Sequence, residues 1–128
     1  ADKGHFMFEV TIIKTFSAAH LLAEIGGKCE ELHGHNFKVE VTVGADALNE
    51  EGILIDFRIV KKWLKDILDR LDHQHLNELP FFQGVNPSSE NIARHIFTTI
   101  KPMAHSQGVN ILNVKVWESD TASVTYKE

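Results

Sequence analysis

A chain of 128 residues can bury a core of its own without disulfide staples, and 1–128 reads as a single domain. Thirteen basic against eighteen acidic residues give a net charge of −5 with no Lys/Arg cluster, which argues against nucleic acid as a partner. The lone Cys29 cannot form an intrachain disulfide and no apolar stretch is long enough to span a membrane, so the expected compartment is a reducing cytoplasm, with no membrane partner.

The chain opens Ala1-Asp2-Lys3 and first reaches a methionine at Met7; residues 1–6 are expected to be a disordered lead, a processed end or a cloning remnant. Phe6–Phe16, rich in Phe, Ile, Val and Thr, predicts a first strand, with His20 at its close in Phe16-Ser17-Ala18-Ala19-His20. Leu21–Glu31, containing Gly26-Gly27, predicts a loop that carries Cys29. From Asn36 to Gly44, Phe37, Val39, Val41 and Val43 alternate with polar residues, the pattern of a half-buried antiparallel strand. Asp56 can cap a helix to about Leu71, with Phe57, Val60, Leu64, Ile67, Leu68 and Leu71 on one stripe. Asn86-Pro87-Ser88-Ser89-Glu90 offers a cap, a proline in the first turn and an early carboxylate for a second helix stopping near Pro102. Val109–Glu118 and Thr121–Lys127 predict two strands joined at Ser119-Asp120. The order is strand, strand, helix, helix, strand, strand: an α+β fold with a four-stranded antiparallel sheet and both helices on one face. Its unpaired outer edges are ones that identical subunits can remove by joining sheets into a barrel.

The chemistry concentrates in Cys29-Glu30-Glu31-Leu32-His33-Gly34-His35. Residues at i and i+2 of a strand face one side, so His33 and His35 present two imidazoles together. A catalytic zinc usually takes three protein ligands and keeps a fourth position open, and His20, beside small residues, is the best third. Three alternatives stand on the residues alone: an open site, a closed structural site in which Cys29 is the fourth ligand, or no metal. Cys29 itself is either a small core residue or a thiol activated by a nearby cation. Asp72-His73, after the first helix, reads as a carboxylate orienting an imidazole, or as a helix end. His75 competes for either role, while His5, His95 and His105 read as surface or structural. Glu118 ends its strand, to bind a guanidine-like edge or to face solvent.

In this order, Phe16-Ser17-Ala18-Ala19-His20, Cys29 with His33-Gly34-His35, Leu71-Asp72-His73, Pro87-Ser88-Ser89-Glu90-Asn91 and Val116-Trp117-Glu118 resemble the 6-pyruvoyltetrahydropterin synthase family across nearly the whole chain. The resemblance implies the tunnelling fold, in which trimers close a barrel and two trimers stack as a hexamer. It implies Zn²⁺ on His20, His33 and His35, catalysis by Cys29, Asp72 and His73, and substrate binding by Glu118, Ser89 and Glu90, where Ser89 stands in a position often held by threonine. The Cys29–His33 spacing resembles the 6-carboxytetrahydropterin synthases of the queuosine pathway and is shorter than in the biopterin-making enzymes. The implied reaction converts 7,8-dihydroneopterin triphosphate, a small-molecule pterin triphosphate, into 6-carboxy-5,6,7,8-tetrahydropterin, acetaldehyde and triphosphate, without a dinucleotide cofactor. Glu30 also completes a Glu-x-x-His-Gly-His pattern, which resembles the branch that makes 6-hydroxymethyldihydropterin for folate synthesis. A 6-pyruvoyl product and a non-catalytic zinc- or pterin-binding module are the other readings.

Overall fold

The computed structural model describes residues 5–22 and 31–128. Four antiparallel strands, β1 (Phe8–His20), β2 (His33–Ala45), β3 (Asn110–Ser119) and β4 (Ala122–Tyr126), form one sheet in the order β1-β2-β3-β4. The helices α1 (Phe57–Leu68) and α2 (Ser89–Ser106) fall between β2 and β3, with short 3-10 turns at Leu76–Glu78 and Pro80–Phe82. This is the α+β architecture that the alternation and the helical stripes predict.

Strand alternation decides which residues enter the core. Ile12, Phe16 and Ala18 of β1, Phe37, Val39, Val41 and Val43 of β2, and Val114 and Val116 of β3 are buried under the helices. From α1 they meet Val60, Leu64, Ile67 and Leu68; from α2, Ile92, Ile96, Phe97 and Ile100. Phe57 departs from the expected stripe: it is the first residue of α1 and is exposed. Leu71 is buried although α1 ends at Leu68, because the chain turns there and keeps that side chain under the sheet.

Two element ends also differ from expectation. β1 continues past Phe16 to His20, since its pairing with β2 runs unbroken from Phe8↔Ala45 to His20↔His33. The partner strand supplies the order that Ser17, Ala18 and Ala19 lack in propensity. α2 passes through Pro102 and ends at Ser106; the φ of 76° at Gly108, just beyond, lets Gly108 N–H and Val109 N–H reach the carbonyls of His105 and Ala104. Burial of Ile100 and Ala104 on either side of the proline holds the helix together across the missing donor.

The start of α2 matters for the site. Ser88 is the cap, its hydroxyl accepting from the Asn91 N–H at 3.1 Å. Pro87 therefore stands outside the helix, with a carbonyl free for another donor. Among the described residues, no helix is long and apolar enough to cross a membrane.

Candidate active site

The antiparallel register sets His20 directly opposite His33, and Ala18 opposite His35. All three imidazoles then lie on the helix-covered face at one end of the sheet, and the methyl of Ala18 leaves space between them. Ring centroids are 4.6 Å apart for His20–His33, 5.1 Å for His20–His35 and 4.6 Å for His33–His35. One nitrogen from each falls within 4.8 Å of the others, a group that could hold a metal ion. Phe37 forms the floor, edge-on to His20 at 5.5 Å and to His35 at 5.4 Å, and is itself fully buried.

The hydrogen bonds orient these rings as ligands. His20 Nδ1 is 2.7 Å from Pro87 O and His33 Nδ1 is 2.9 Å from Glu31 O. A carbonyl can only accept, so each Nδ1 carries the proton and each Nε2 keeps a lone pair, the arrangement common to metal-bound histidines. His20 is fully buried, and its Nε2 has no hydrogen-bond partner among the described residues. An orphaned buried acceptor is costly unless something occupies it, so the residues present fit a cation.

Glu118 comes in from the end of β3. Its Oε1 lies 3.7 Å from His20 Nε2 and accepts a 3.0 Å hydrogen bond from Ser89 Oγ, while Oε2 lies 4.0 Å from His35 Nε2. A pocket of about 530 Å³ opens here, lined by Leu22, Glu31, Leu32, His33, His35 and Glu118. Glu90, in the first turn of α2, is exposed and joins none of these contacts.

Asp72 and His73 lie elsewhere. The free edge of β1 is partly covered by the segment after α1: Ser17 N–H donates to Asp72 Oδ1 at 2.9 Å, His73 N–H to Ser17 O at 2.6 Å, and Ala19 N–H to Gln74 O at 3.0 Å. His73 adopts the left-handed conformation, φ 58°, the one such residue other than glycine among those described. Its Nδ1 is 2.9 Å from Asp72 Oδ2, and its side chain is 81% exposed. The Ser17 amide, with His73 adding to it, holds the Asp72 carboxyl below the usual aspartate range. His73 lines a second pocket, about 490 Å³, together with Ser17, Ala19, Gly34 and Asn36, which alternate with the triad along β1 and β2, and with His35 of the triad itself. Among the described residues no hydrogen bond, ion pair or ring contact joins His73 to the triad.

The remaining histidines stay out of the cluster. His75 bridges to Ala19 and pairs its Nδ1 with Glu78 at 3.3 Å, and His95 stacks on Phe81 at 4.3 Å. Cys29 and Glu30, with most of the loop that carries them, lie outside the described residues. Sequence reasoning missed the carbonyl of Pro87 and the carboxamide of Asn77, which grips the backbone of Leu21 next to His20. No periodicity or spacing signals either of them.

Known proteins match this arrangement over nearly its full length. The family model described as 6-pyruvoyl tetrahydropterin synthase matches residues 9–128. The 6-carboxy-5,6,7,8-tetrahydropterin synthase of Haemophilus influenzae is 31% identical, over 95% of this chain and 100% of that protein. The human 6-pyruvoyl tetrahydrobiopterin synthase is 33% identical, over 88% of this chain and 86% of that one. Among solved structures, the 6-pyruvoyl tetrahydropterin synthase of Caenorhabditis elegans superposes with a TM-score of 0.83 at 28% identity, covering 94% of this chain and 95% of that one.

Proposed function

The chain belongs to the 6-pyruvoyl tetrahydropterin synthase family, and from that premise we propose that it is a zinc-dependent lyase of the queuosine pathway. It takes 7,8-dihydroneopterin triphosphate and water to 6-carboxy-5,6,7,8-tetrahydropterin, acetaldehyde and triphosphate. The observation that carries the reading is the convergence of His20, His33 and His35 beside Glu118, inside a chain whose relatives include 6-carboxytetrahydropterin synthases. Three imidazole ligands suit zinc, with a position left for substrate. A bound zinc ion would act as a Lewis acid, orienting the substrate's side-chain hydroxyls and stabilising the negative charge that develops there.

The chain's own residues supply the rest. Glu118, steadied by Ser89 Oγ on Oε1, offers carboxylate lone pairs to the paired N–H donors of a pterin ring. Cys29, assigned from the motif alone, removes a proton as thiolate. His73 moves protons on the other face of the substrate, its tautomer fixed by Asp72 at Nδ1. Phe37 keeps water from beneath the triad. Elimination expels triphosphate, ring reduction proceeds internally by tautomerisation, and the water consumed at the carbon–carbon cleavage leaves a carboxylate and acetaldehyde.

The exposed His73 and the sheet's two outer strands support a hexamer of two trimers, in which Asp72 and His73 of one copy face the triad of the next. Light scattering is expected to report a hexamer, and a stable, active monomer would refute it. Incubation with dihydroneopterin triphosphate and mass analysis of the pterin tests the activity. A 6-carboxy product is expected; a 6-pyruvoyl product would move the chain to the activity named for its human relative, and no turnover would leave only a binding module.

A further inference from the structure

Asn77, in the 3-10 turn Leu76–Glu78, uses its side chain as though it were strand backbone. Its Oδ1 accepts from Leu21 N–H at 2.9 Å and its Nδ2 donates to Leu21 O at 3.0 Å, across 56 positions of sequence. Leu21 is the first residue beyond β1 and directly follows His20. The same edge is held below by Gln74 on Ala19 and by Asp72 and His73 on Ser17. Asn77 therefore completes a ladder that runs from the Asp72–His73 pair up to the residue next to the buried imidazole. Asn77 and Leu21 are partly buried there, so a lost partner leaves polar backbone with poor access to water.

His20 is fixed at its ring by Pro87 and along its backbone by this ladder. Without the clamp, no backbone bond among the described residues lies on this edge beyond the one between Ala19 and Gln74, so His20 becomes the end of the held strand, and strand ends fray first. We propose that Asn77 is a positioning residue for the metal site: it sets the backbone that carries His20 and couples metal binding to the docking of residues 72–77 on β1. The inference rests on the reading of His20, His33 and His35 as metal ligands. Because such coupling is reciprocal, a metal that holds His20 also holds the segment bearing Asp72 and His73.

The test compares Asn77→Ala with Gln83→Ala in the full chain. Gln83 Nε2 donates to Asn77 O and Leu79 O, both at 3.0 Å, so its loss perturbs the same turns without touching Leu21. Zinc affinity by chelator competition, and the visible bands of the Co²⁺-substituted protein, report ligand geometry independently of turnover. Asn77→Ala is expected to lose about 10–100-fold in zinc affinity, as removal of groups that orient metal ligands typically does, and to shift the Co²⁺ bands. Gln83→Ala is expected to match the wild type. Equal behaviour of the two variants would overturn the proposal. Should Asn77→Ala fold poorly, amide exchange in the wild type decides: zinc is expected to slow exchange at Ala19, Leu21 and His73, and unchanged rates there overturn the coupling. A wild type that takes up no metal removes the metal reading and this inference together; tight binding by wild type and Asn77→Ala alike removes this inference alone.

Discussion

His20 donates from Nδ1 to the carbonyl oxygen of Pro87, 2.7 Å away and 67 positions later, so the residue just outside α2 fixes the tautomer of a histidine at the end of β1. The fully buried ring is left with an Nε2 that has no hydrogen-bond partner among the described residues. His20→Ala is expected to weaken zinc binding by at least the 10–100-fold typical of lost supporting groups, measured by chelator competition. His95→Ala, a histidine stacked on Phe81 away from the cluster, is expected to leave affinity unchanged. Zinc held equally well without His20 would discard the triad.

Asp72 makes the acid stability of the fold partly its own. Its carboxyl is held below the usual range by the Ser17 amide and by His73, so the ionised form is favoured in the folded chain. That contribution is complete above the ordinary aspartate value of about 4 and is lost as pH falls through the lowered folded value. Urea midpoints of wild type and Asp72→Asn are expected to converge on acidification through this window. A gap that stays constant down to pH of about 2 would show that Asp72 carries no such linkage.

The proposed sharing of sites between copies predicts complementation. Cys29→Ala and His73→Asn hexamers are each expected to be inactive alone. Unfolding and reassembling them together is expected to restore part of the activity, because some sites then combine an intact Cys29 from one copy with an intact His73 from the next. Absence of recovery in verified mixed hexamers would place the whole site within one chain.

The acidic neighbour of the thiol yields a separate test. Cys29→Ala is expected to reduce formation of the 6-carboxy product by about 10²–10⁴-fold, the usual worth of one proton-transfer group, while Glu30→Ala largely preserves it. If Cys29→Ala instead gains 6-hydroxymethyldihydropterin and Glu30→Ala abolishes it, Glu30 is the working base. Product masses from the two variants distinguish these outcomes.

How much of this was readable in advance follows from the range of each interaction. Phe37, Val39, Val41 and Val43 announce β2 by alternation, and the same period puts His33 and His35 on one face. The pairing of His20 with His33 needs only that β1 and β2 be neighbours in register. Where a contact joins distant, irregular segments, local pattern is silent. The Pro87 carbonyl and the Asn77 carboxamide reach β1 from turns, and neither residue type is special in its own stretch of sequence. Pro102 misled for the opposite reason: a strong local stop signal was overridden by the burial of Ile100 and Ala104.

If His73 moves protons as proposed, its left-handed backbone sets stability against chemistry at a single position. An ordinary side chain at φ 58° forgoes roughly 1–2 kcal/mol that glycine would not, and asparagine tolerates the conformation better than most. A population selected only for heat resistance would therefore drift toward glycine or asparagine here and gain robust, correctly folded, catalytically silent chains. Adding a demand for turnover to that selection is expected to retain histidine here, and drift to glycine or asparagine under both demands would refute the proposed role of His73.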